Sequence, residues 1–324
     1  MNPPHSLTPL PPYTSSAPGK IILFGEHAVV YGQPAIAVPV THVRAEARIE
    51  PARGGDFSQI FAPNIGLDTR VEDLPLSHPL SIALRGVLSA CGVAEPPPFH
   101  LTIQSTIPVA GGMGSGAAVS VAVIRAFSTF LGHPLPDEQV NALAYEVEKH
   151  HHGTPSGIDN TVITYARPVY FVRGHPIETF TVPRSQNAAP FTLLIADTGI
   201  PSSTAITVGD VRKSWQADPD RYNKIFQWVG NLAMKARRAI ESGTPDTLGP
   251  LMDENHSQLQ QIGVSSPELD RLVDAARASG ALGAKLSGGG RGGNMIALVK
   301  PETAERVTEA LRAAGAVRTI VTEI

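Results

Sequence analysis

The stretch PVAGGMGSGAAVSVAVIRAF, residues 108–127, runs a glycine-rich loop straight into an apolar helix. Consecutive backbone N–H groups ending at a helix N-terminus make an anion site, because those amides lack intrahelical partners and the dipole is positive there. Gly111, Gly112, Gly114 and Gly116 put no Cβ in the way of a phosphate, and Pro108, Met113 and Ser115 complete the loop. The pattern is neither of the two common nucleotide loops. Ser115, Gly116 and Ala117 follow Gly114 where a Walker loop needs Lys and then Ser or Thr. The helix leads to LGHPLPDE, a turn and a new helix start, not to the second strand and acidic residue of a dinucleotide fold. Taken alone, the same residues would also serve as a flexible turn ahead of a core helix.

Two carboxylates follow. In PDEQVNALAYEVEKHHHG the residues Val140, Leu143, Ala144 and Val147 share one helical face, and Glu148 lies on its inward edge. Pro155, with Gly153 and Gly157, stops this helix and turns the chain, so that Asp159 on the next element can converge with Glu148. A pair of inward carboxylates near a phosphate loop suits Mg²⁺ ligation together with a base or charge partner. Singly, Glu148 could form an ion pair and Asp159 could cap a helix. The histidines at 150–152 read as complements to the dipole of a last helical turn rather than as metal ligands. Lys20 enters an apolar strand, where a solvated ammonium gains nothing. Beside a carboxylate it could lower an alcohol's pKa or offset charge on a transferring phosphoryl group. Glu26 and His27 sit in a turn and say little by themselves.

The elements that must position these residues can be read from pattern. KIILFGEHAVVYGQPAIAVPV reads as strand, turn, strand, with order beginning near Ala17, and VRAEARIE alternates as a half-buried strand does. Residues 73–92 contain a helical segment ended by Gly92, FHLTIQSTIP is a strand feeding the glycine loop, and the helix from about Ser115 to Leu131 is apolar nearly all round and therefore central. VYFVRG and ETFTVP form a hairpin, and RSQNAAP (184–190) is the best linker candidate. In the second half, FTLLIADTG is a strand. Ser265 and Glu268 suggest a capping box around Pro267, Gly280 ends that helix, Pro301 and Gly315 bracket the last one, and AKLSGGGRGGNMIALV is strand, glycine loop, strand. This order of strand and helix runs favours an α+β fold over a doubly wound sheet.

The 324 residues suffice for two domains, and a net charge of −3 leaves no basic footprint for nucleic acid or an anionic membrane. A single cysteine, Cys91, excludes an internal disulfide framework and suits a reducing interior. Residues 1–16 lack a signal peptide's basic and apolar regions and read as a disordered, proline-rich tail. No stretch approaches the roughly 18 apolar residues of a membrane span. A cytoplasmic protein is expected.

Three ordered motifs carry a resemblance over nearly the whole chain from Ala17: Pro18-Gly19-Lys20 with GEHAVVYG, PVAGGMGSGAA, and KLSGGGRGGN. Together they resemble the GHMP kinase superfamily. GEHAVVYG, HGTPSGIDN, DTGIPSSTA (197–205) and GVSSPELDRL (263–272) are similar to its mevalonate kinases in particular. The resemblance implies a two-domain α+β fold: an N-terminal ribosomal-protein-S5-like domain over 17–187, a C-terminal ferredoxin-like domain over 188–324, and the active site between them. It implies ATP and Mg²⁺, and phosphorylation of the 5-hydroxyl of (R)-mevalonate in isoprenoid precursor synthesis. A homodimer is compatible with the sequence, which carries no signal of assembly state.

Residue by residue, the family pattern puts Asp159 at the catalytic carboxylate, Lys20 at the lysine facing it and the substrate hydroxyl, and Glu148 at the Mg²⁺ ligand. Glu26 and His27 fall where the family holds the substrate's hydroxyl and carboxylate end. Gly111–Ser115 would wrap the phosphates, Ser202, Ser203 and Thr204 would line the cleft, and Gly289 of the third loop would border the substrate. Two positions depart from the pattern. A second serine that contributes to Mg²⁺ is replaced by Gly116, so that Ser115 or water must take its place, and a glycine of the third loop is replaced by Arg291. An arginine there is either turned outward or adds charge near the phosphates, and the second orientation would leave room for phosphomevalonate as substrate. Galactokinase would want an aspartate soon after GEH, where Ala28-Val29-Val30 stands, and the mevalonate diphosphate decarboxylases lack the full GEHAVVYG stretch. A non-catalytic sensor of the same fold would have no need of Lys20, Glu148 and Asp159 together.

Overall fold

A computed structural model describes residues 12–52, 57–108, 111–152, 155–183 and 191–324. In chain order the elements are β1 (Tyr13–Phe24), β2 (Ala35–Pro51), β3 (Gln59–Ala62), β4 (Leu67–Arg70), α1 (Pro79–Cys91), β5 (Phe99–Ser105), α2 (Ser115–Phe130), α3 (Asp137–His152), α4 (Ile158–Tyr165), β6 (Val169–Phe171) and β7 (Glu178–Thr179). Then come β8 (Thr192–Asp197), α5 (Thr204–Ala217), α6 (Pro219–Glu241), α7 (Leu248–Gln261), α8 (Pro267–Ala278), β9 (Gly283–Ser287), β10 (Asn294–Val299), α9 (Pro301–Ala313) and β11 (Arg318–Glu323). The fold is α+β, as the pattern of runs predicts. The first strand begins at Tyr13, four residues ahead of the expected Ala17, and Tyr13 lays its ring edge-on against Phe130 at 5.7 Å. The proposed linker, 184–190, lies outside the described residues.

The chain forms two compact units. The first takes the chain up to Ala17 with Arg44–Thr106 and Gly116–Pro155. In it the second half of β2 pairs antiparallel with β5 (Ala45 opposite Ser105), β5 runs parallel to β3, and β3 pairs with β4. Sequence pattern gave no sign of β3 and β4, four residues each and separated by a short turn. Phe99, Phe127 and Phe130 cluster with centroids 5.0–6.3 Å apart, and α2 is buried along almost its whole length. The stretch read as a separate strand, VRAEARIE, is the second half of the 17-residue β2. Its alternating burial begins at Val43, whereas Ala35–Val40 are buried on both faces.

The second unit comprises Pro18–Val43, Ile107–Ser115 and Ser156–Ile324. Its sheet, in the order β11-β8-β10-β9, is antiparallel throughout, with Asn294 opposite both Asp197 and Ser287. The start of β2 pairs with β6 (Ala35 opposite Phe171), and β6 with β7 makes the expected hairpin. One apolar core joins β8, β9 and β10 to α6, α8 and α9, and Ala28 of the GEHAVVYG turn belongs to it. Tyr31 from the same turn stacks on Phe226 of α6, centroids 4.0 Å apart, so the motif is also a docking element. The capping expectation for α8 is off by one residue. Ser266 is the N-cap, accepting from the Leu269 amide, with Pro267 in the first turn. The Ser265 hydroxyl instead donates to Asp270 at 2.5 Å.

Asp270 begins a polar chain that fixes α7 and α8 to β9. Nε2 of His256, on α7, donates to Asp270 Oδ1 at 3.1 Å, and Nδ1 accepts from the Leu286 amide at 3.3 Å. Only the neutral imidazole can do both. Burial, reinforced by the Arg277 charge and opposed by Asp270, lowers the His256 pKa to about 4. A group whose folded pKa lies below its unfolded value near 6.5 contributes its full stability above about pH 6.5 and loses it as the pH falls toward about 4. The expected loss is of the order of 3 kcal/mol. Urea titrations from pH 7 to pH 4 should show it, and His256→Gln should flatten the slope.

The backbones of α7 and β9 also touch directly. A Cβ added at Gly283 would stand 2.6 Å from Gly249 Cα, and one at Gly249 would stand 2.6 Å from the Leu282 carbonyl carbon. No flexible side chain can yield there. Gly283→Ala should therefore destabilise the protein by about 3 kcal/mol, read as a lowered urea midpoint with an unchanged m-value.

Candidate active site

Lys20 lies in β1 with its residue 7% exposed, and its ammonium meets Asp159 Oδ1 at 3.1 Å. Asp159 stands in the first turn of α4, begun by Gly157 at φ 84°, where the helix dipole favours a negative charge. Its side chain keeps 34% exposure, so the pair is enclosed on the lysine side and open on the carboxylate side. The glycine loop is fastened to the same lysine: the Lys20 amide donates to the Met113 carbonyl at 3.0 Å. Gly114 has φ 71°, and a Cβ there would stand 2.8 Å from Ile163 Cδ1 and 3.0 Å from Lys20 Cγ. Conformation and space both require glycine at that position. From the start of β10, the Asn294 side-chain amide donates to the Gly111 carbonyl. Sequence pattern thus located the loop and the pair; their contact is a product of the fold.

The third loop, 288–293, is held on several sides. Ser202 donates to the Gly290 carbonyl, the Arg291 amide to Val264 O at 2.8 Å, and the Gly293 amide to Ile200 O at 3.0 Å. Ser203 caps α5 by accepting from the Ile206 amide, and Thr204 lies against Gly289, where a Cβ would be 2.8 Å from Thr204 Oγ1. Arg291 has φ 57°, but its guanidinium reaches Asp210 on α5 at 2.6 Å and the Gly263 carbonyl at 3.2 Å. Its hydrogen bond holds the Asp210 carboxyl below its ordinary pKa. Of the two orientations open to Arg291 in the sequence, the structure shows the one committed to α5.

The turn after β1 departs from expectation. Glu26, expected at the substrate, is 4% exposed and has both carboxylate oxygens engaged. Oε1 pairs with the Lys285 ammonium and Oε2 accepts from Asn255 Nδ2 at 3.2 Å. Lys285 is fully buried in β9, and burial lowers its pKa while Glu26 opposes that shift. His27, with φ 60° and ψ −47°, donates from Nε2 to the Gly289 carbonyl at 2.9 Å. Its Nδ1 is buried with no hydrogen-bond partner. Burial pushes the imidazole pKa down, against the bond to Gly289 and with the Arg291 charge. His27 therefore holds a buried, unpartnered ring nitrogen that in the neutral imidazole can accept a hydrogen bond. Lys285, Asn255 and Asp210 escaped sequence reading. The signal for Lys285 was present, a lysine inside the apolar run GAKLS.

In the first unit, Glu148 is 5% exposed, on the inward edge of α3 as its spacing predicts. A Cβ built on Gly116, in the first turn of α2, would be 3.7 Å from Glu148 Oε1, an ordinary contact. The carboxylate thus faces the very position where the family pattern has a serine.

Comparison with known proteins identifies the family. The sequence profile of the GHMP kinases N terminal domain matches residues 80–167, and that of the GHMP kinases C terminal matches residues 236–317. The mevalonate kinase of Thermococcus sibiricus is 37% identical over 333 residues, spanning 96% of this chain and 95% of its own. That of Pyrococcus horikoshii is 36% identical over 328 residues, spanning 94% and 93%. The crystal structure of L. major mevalonate kinase in complex with R-mevalonate superposes with a TM-score of 0.81 at 30% identity, covering 99% of this chain and 98% of the other. The Methanococcus jannaschii mevalonate kinase gives 0.83 at 25%, covering 98% and 99%. With both domain profiles matched in order and relatives of this identity aligned end to end, the chain belongs to the mevalonate kinase family of the GHMP kinases.

Proposed function

We propose that the protein transfers the γ-phosphoryl group of ATP to the 5-hydroxyl of (R)-mevalonate, giving (R)-5-phosphomevalonate and ADP, in isoprenoid precursor synthesis. The observation that carries the reading is the half-open Lys20–Asp159 pair fastened to the glycine loop. Membership of the family supplies the substrate. The 5-hydroxyl gives its proton to Asp159 as its oxygen bonds to the γ-phosphorus and the bond to the ADP oxygen breaks. Lys20 orients Asp159 through their ion pair and offsets charge on the reacting oxygens. Gly111, Gly112, Met113, Gly114, Ser115 and Gly116, after Pro108, present backbone N–H groups to the phosphates. His27 Nδ1 accepts from a substrate hydroxyl, with Gly289, Ser203 and Thr204 alongside. Glu26 acts on the substrate through His27 rather than by touching it.

Glu148 and Ser115 are the residues that would hold Mg²⁺, a hard cation suited to one carboxylate, a hydroxyl and several waters. When bound there, the ion would neutralise charge on the nucleotide phosphates. The division at 187/188 belongs to the same proposal, the two family profiles falling one on each side of it. So does a cytoplasmic setting; among the described residues no helix is long and apolar enough to cross a membrane. The Arg291–Asp210 pair removes the ground for phosphomevalonate as substrate, since the guanidinium is already engaged.

The direct test is ADP release from Mg-ATP with (R)-mevalonate, 5-phosphomevalonate and galactose offered in parallel. Turnover with mevalonate is expected; turnover only with 5-phosphomevalonate, or with none of the three, would sink the reading. Asp159→Asn should lower kcat by at least about 10²-fold while nucleotide affinity, measured calorimetrically, stays within a factor of about two. A second expectation concerns the metal. Gly116→Ser adds a hydroxyl facing Glu148 in space already open, and should lower the Mg²⁺ concentration for half-maximal turnover a few-fold.

A further inference from the structure

Lys285 and Glu26 are almost entirely enclosed, with side chains 0% and 1% exposed. Neutral side chains of similar volume could fill the same space at no loss of stability, so a buried ion pair is weak evidence of a stabilising role. What it supplies is direction. Glu26 Oε1 is fixed by Lys285 and Oε2 by Asn255, and the Lys285 ammonium donates also to the Leu286 carbonyl at 2.7 Å. The residue next to Glu26 is His27, in a backbone conformation that few side chains adopt unless their surroundings impose it. The same strand-and-loop segment that carries Lys285 also anchors β1 and the turn that follows it. Ser287 Oγ donates to the Ile22 carbonyl at 2.7 Å, and the Gly289 carbonyl receives His27 Nε2.

We propose that Lys285, through its buried pair with Glu26 and with Asn255 closing the other carboxylate oxygen, is a positioning residue: it holds the turn so that His27 donates from Nε2 to Gly289 and presents Nδ1 to a hydroxyl of the substrate. The consequence for binding rests on the function proposed above; the consequence for His27 does not. If the pair sets the ring, removing its charges frees the turn, Nε2 loses Gly289, and the proton distributes over both nitrogens. The acceptor offered to the substrate is then lost for part of the population.

The test is the double variant Glu26→Gln/Lys285→Met, which removes both charges together and leaves neither buried alone. In ¹⁵N-histidine spectra, the His27 signal being identified by its loss in His27→Gln, the parent protein should show a pure Nε2–H tautomer and the double variant a mixture. The KM for mevalonate should rise about tenfold, the loss of one neutral hydrogen bond, with the KM for ATP changed less than about twofold. A folded double variant that keeps the pure tautomer overturns the proposal whatever its kinetics. A mixed tautomer with an unchanged mevalonate KM overturns the link to the substrate. Absence of mevalonate turnover in the parent protein would count against the proposed function and leave the tautomer to decide this inference. Should the double variant fail to fold, Asn255→Leu, which removes only the bond to Oε2, is judged by the same two readouts.

Discussion

An ammonium group withdrawn from water costs several kcal/mol unless a carboxylate and further hydrogen bonds receive it. The second unit meets that constraint twice, at Lys285 and at Lys20, and the two solutions differ in one respect. Around Lys285 everything is closed: Glu26 is as buried as the lysine, and every resolved bond of the pair is spent within the fold. Around Lys20 the carboxylate keeps one side open, with the Asp159 side chain 34% exposed. A closed pair can exchange nothing and can only fix geometry. An open pair whose cation is sheltered leaves a carboxylate oxygen accessible to whatever enters. The division between what supports the site and what reacts in it is therefore a matter of which partner water can reach.

The first unit contributes in another way. Its helix α2 is buried nearly throughout, so the first turn of that helix is held firmly within the unit. The enclosed Glu148 carboxylate facing Gly116 is the counterpart of that rigidity, since an acidic group in the first turn's surroundings suits a helix N-terminus with or without a metal.

Much of this was legible in the residues because it is written locally. The glycine loop, the inward edge holding Glu148 and the anomaly of Lys20 each depend on a few neighbours in sequence and on the periods 3.6 and 2. Long-range pairings left no such mark. Glu26 meets a lysine 259 residues away, and Arg291 meets Asp210 across 81. Nothing local to GEHAVVYG separates a glutamate that contacts a ligand from one that orients its neighbour. β3 and β4 were missed because four-residue strands carry too few alternations to show a period, and β2 was divided because its burial pattern changes midway, from two covered faces to one. The capping error at α8 has a similar origin: two adjacent serines satisfy the same pattern, and only the fold decides that Ser265 belongs to Asp270 and Ser266 to the helix.

The two departures from the family pattern can be weighed against each other. At 291 a side chain is added where φ is 57°, a conformation costing of the order of 1–2 kcal/mol for a residue other than glycine. The cost is met by the amide bond to Val264 and the guanidinium bonds to Gly263 and Asp210, which join the loop to the turn before α8 and to the helix that Ser203 caps. The change therefore reinforces the loop's scaffold and leaves its backbone donors as they were. At 116 a side chain is subtracted from a position facing Glu148, in space that a Cβ would fit. That change takes away the hydroxyl of the family pattern and leaves the scaffold alone. A cation that readily keeps water in its coordination sphere tolerates the second kind of loss better than a phosphate cradle would tolerate a misplaced backbone. The substitutions have thus fallen where each can be absorbed: a new side chain on the outside of the third loop, and a missing one where water could serve a cation held as proposed.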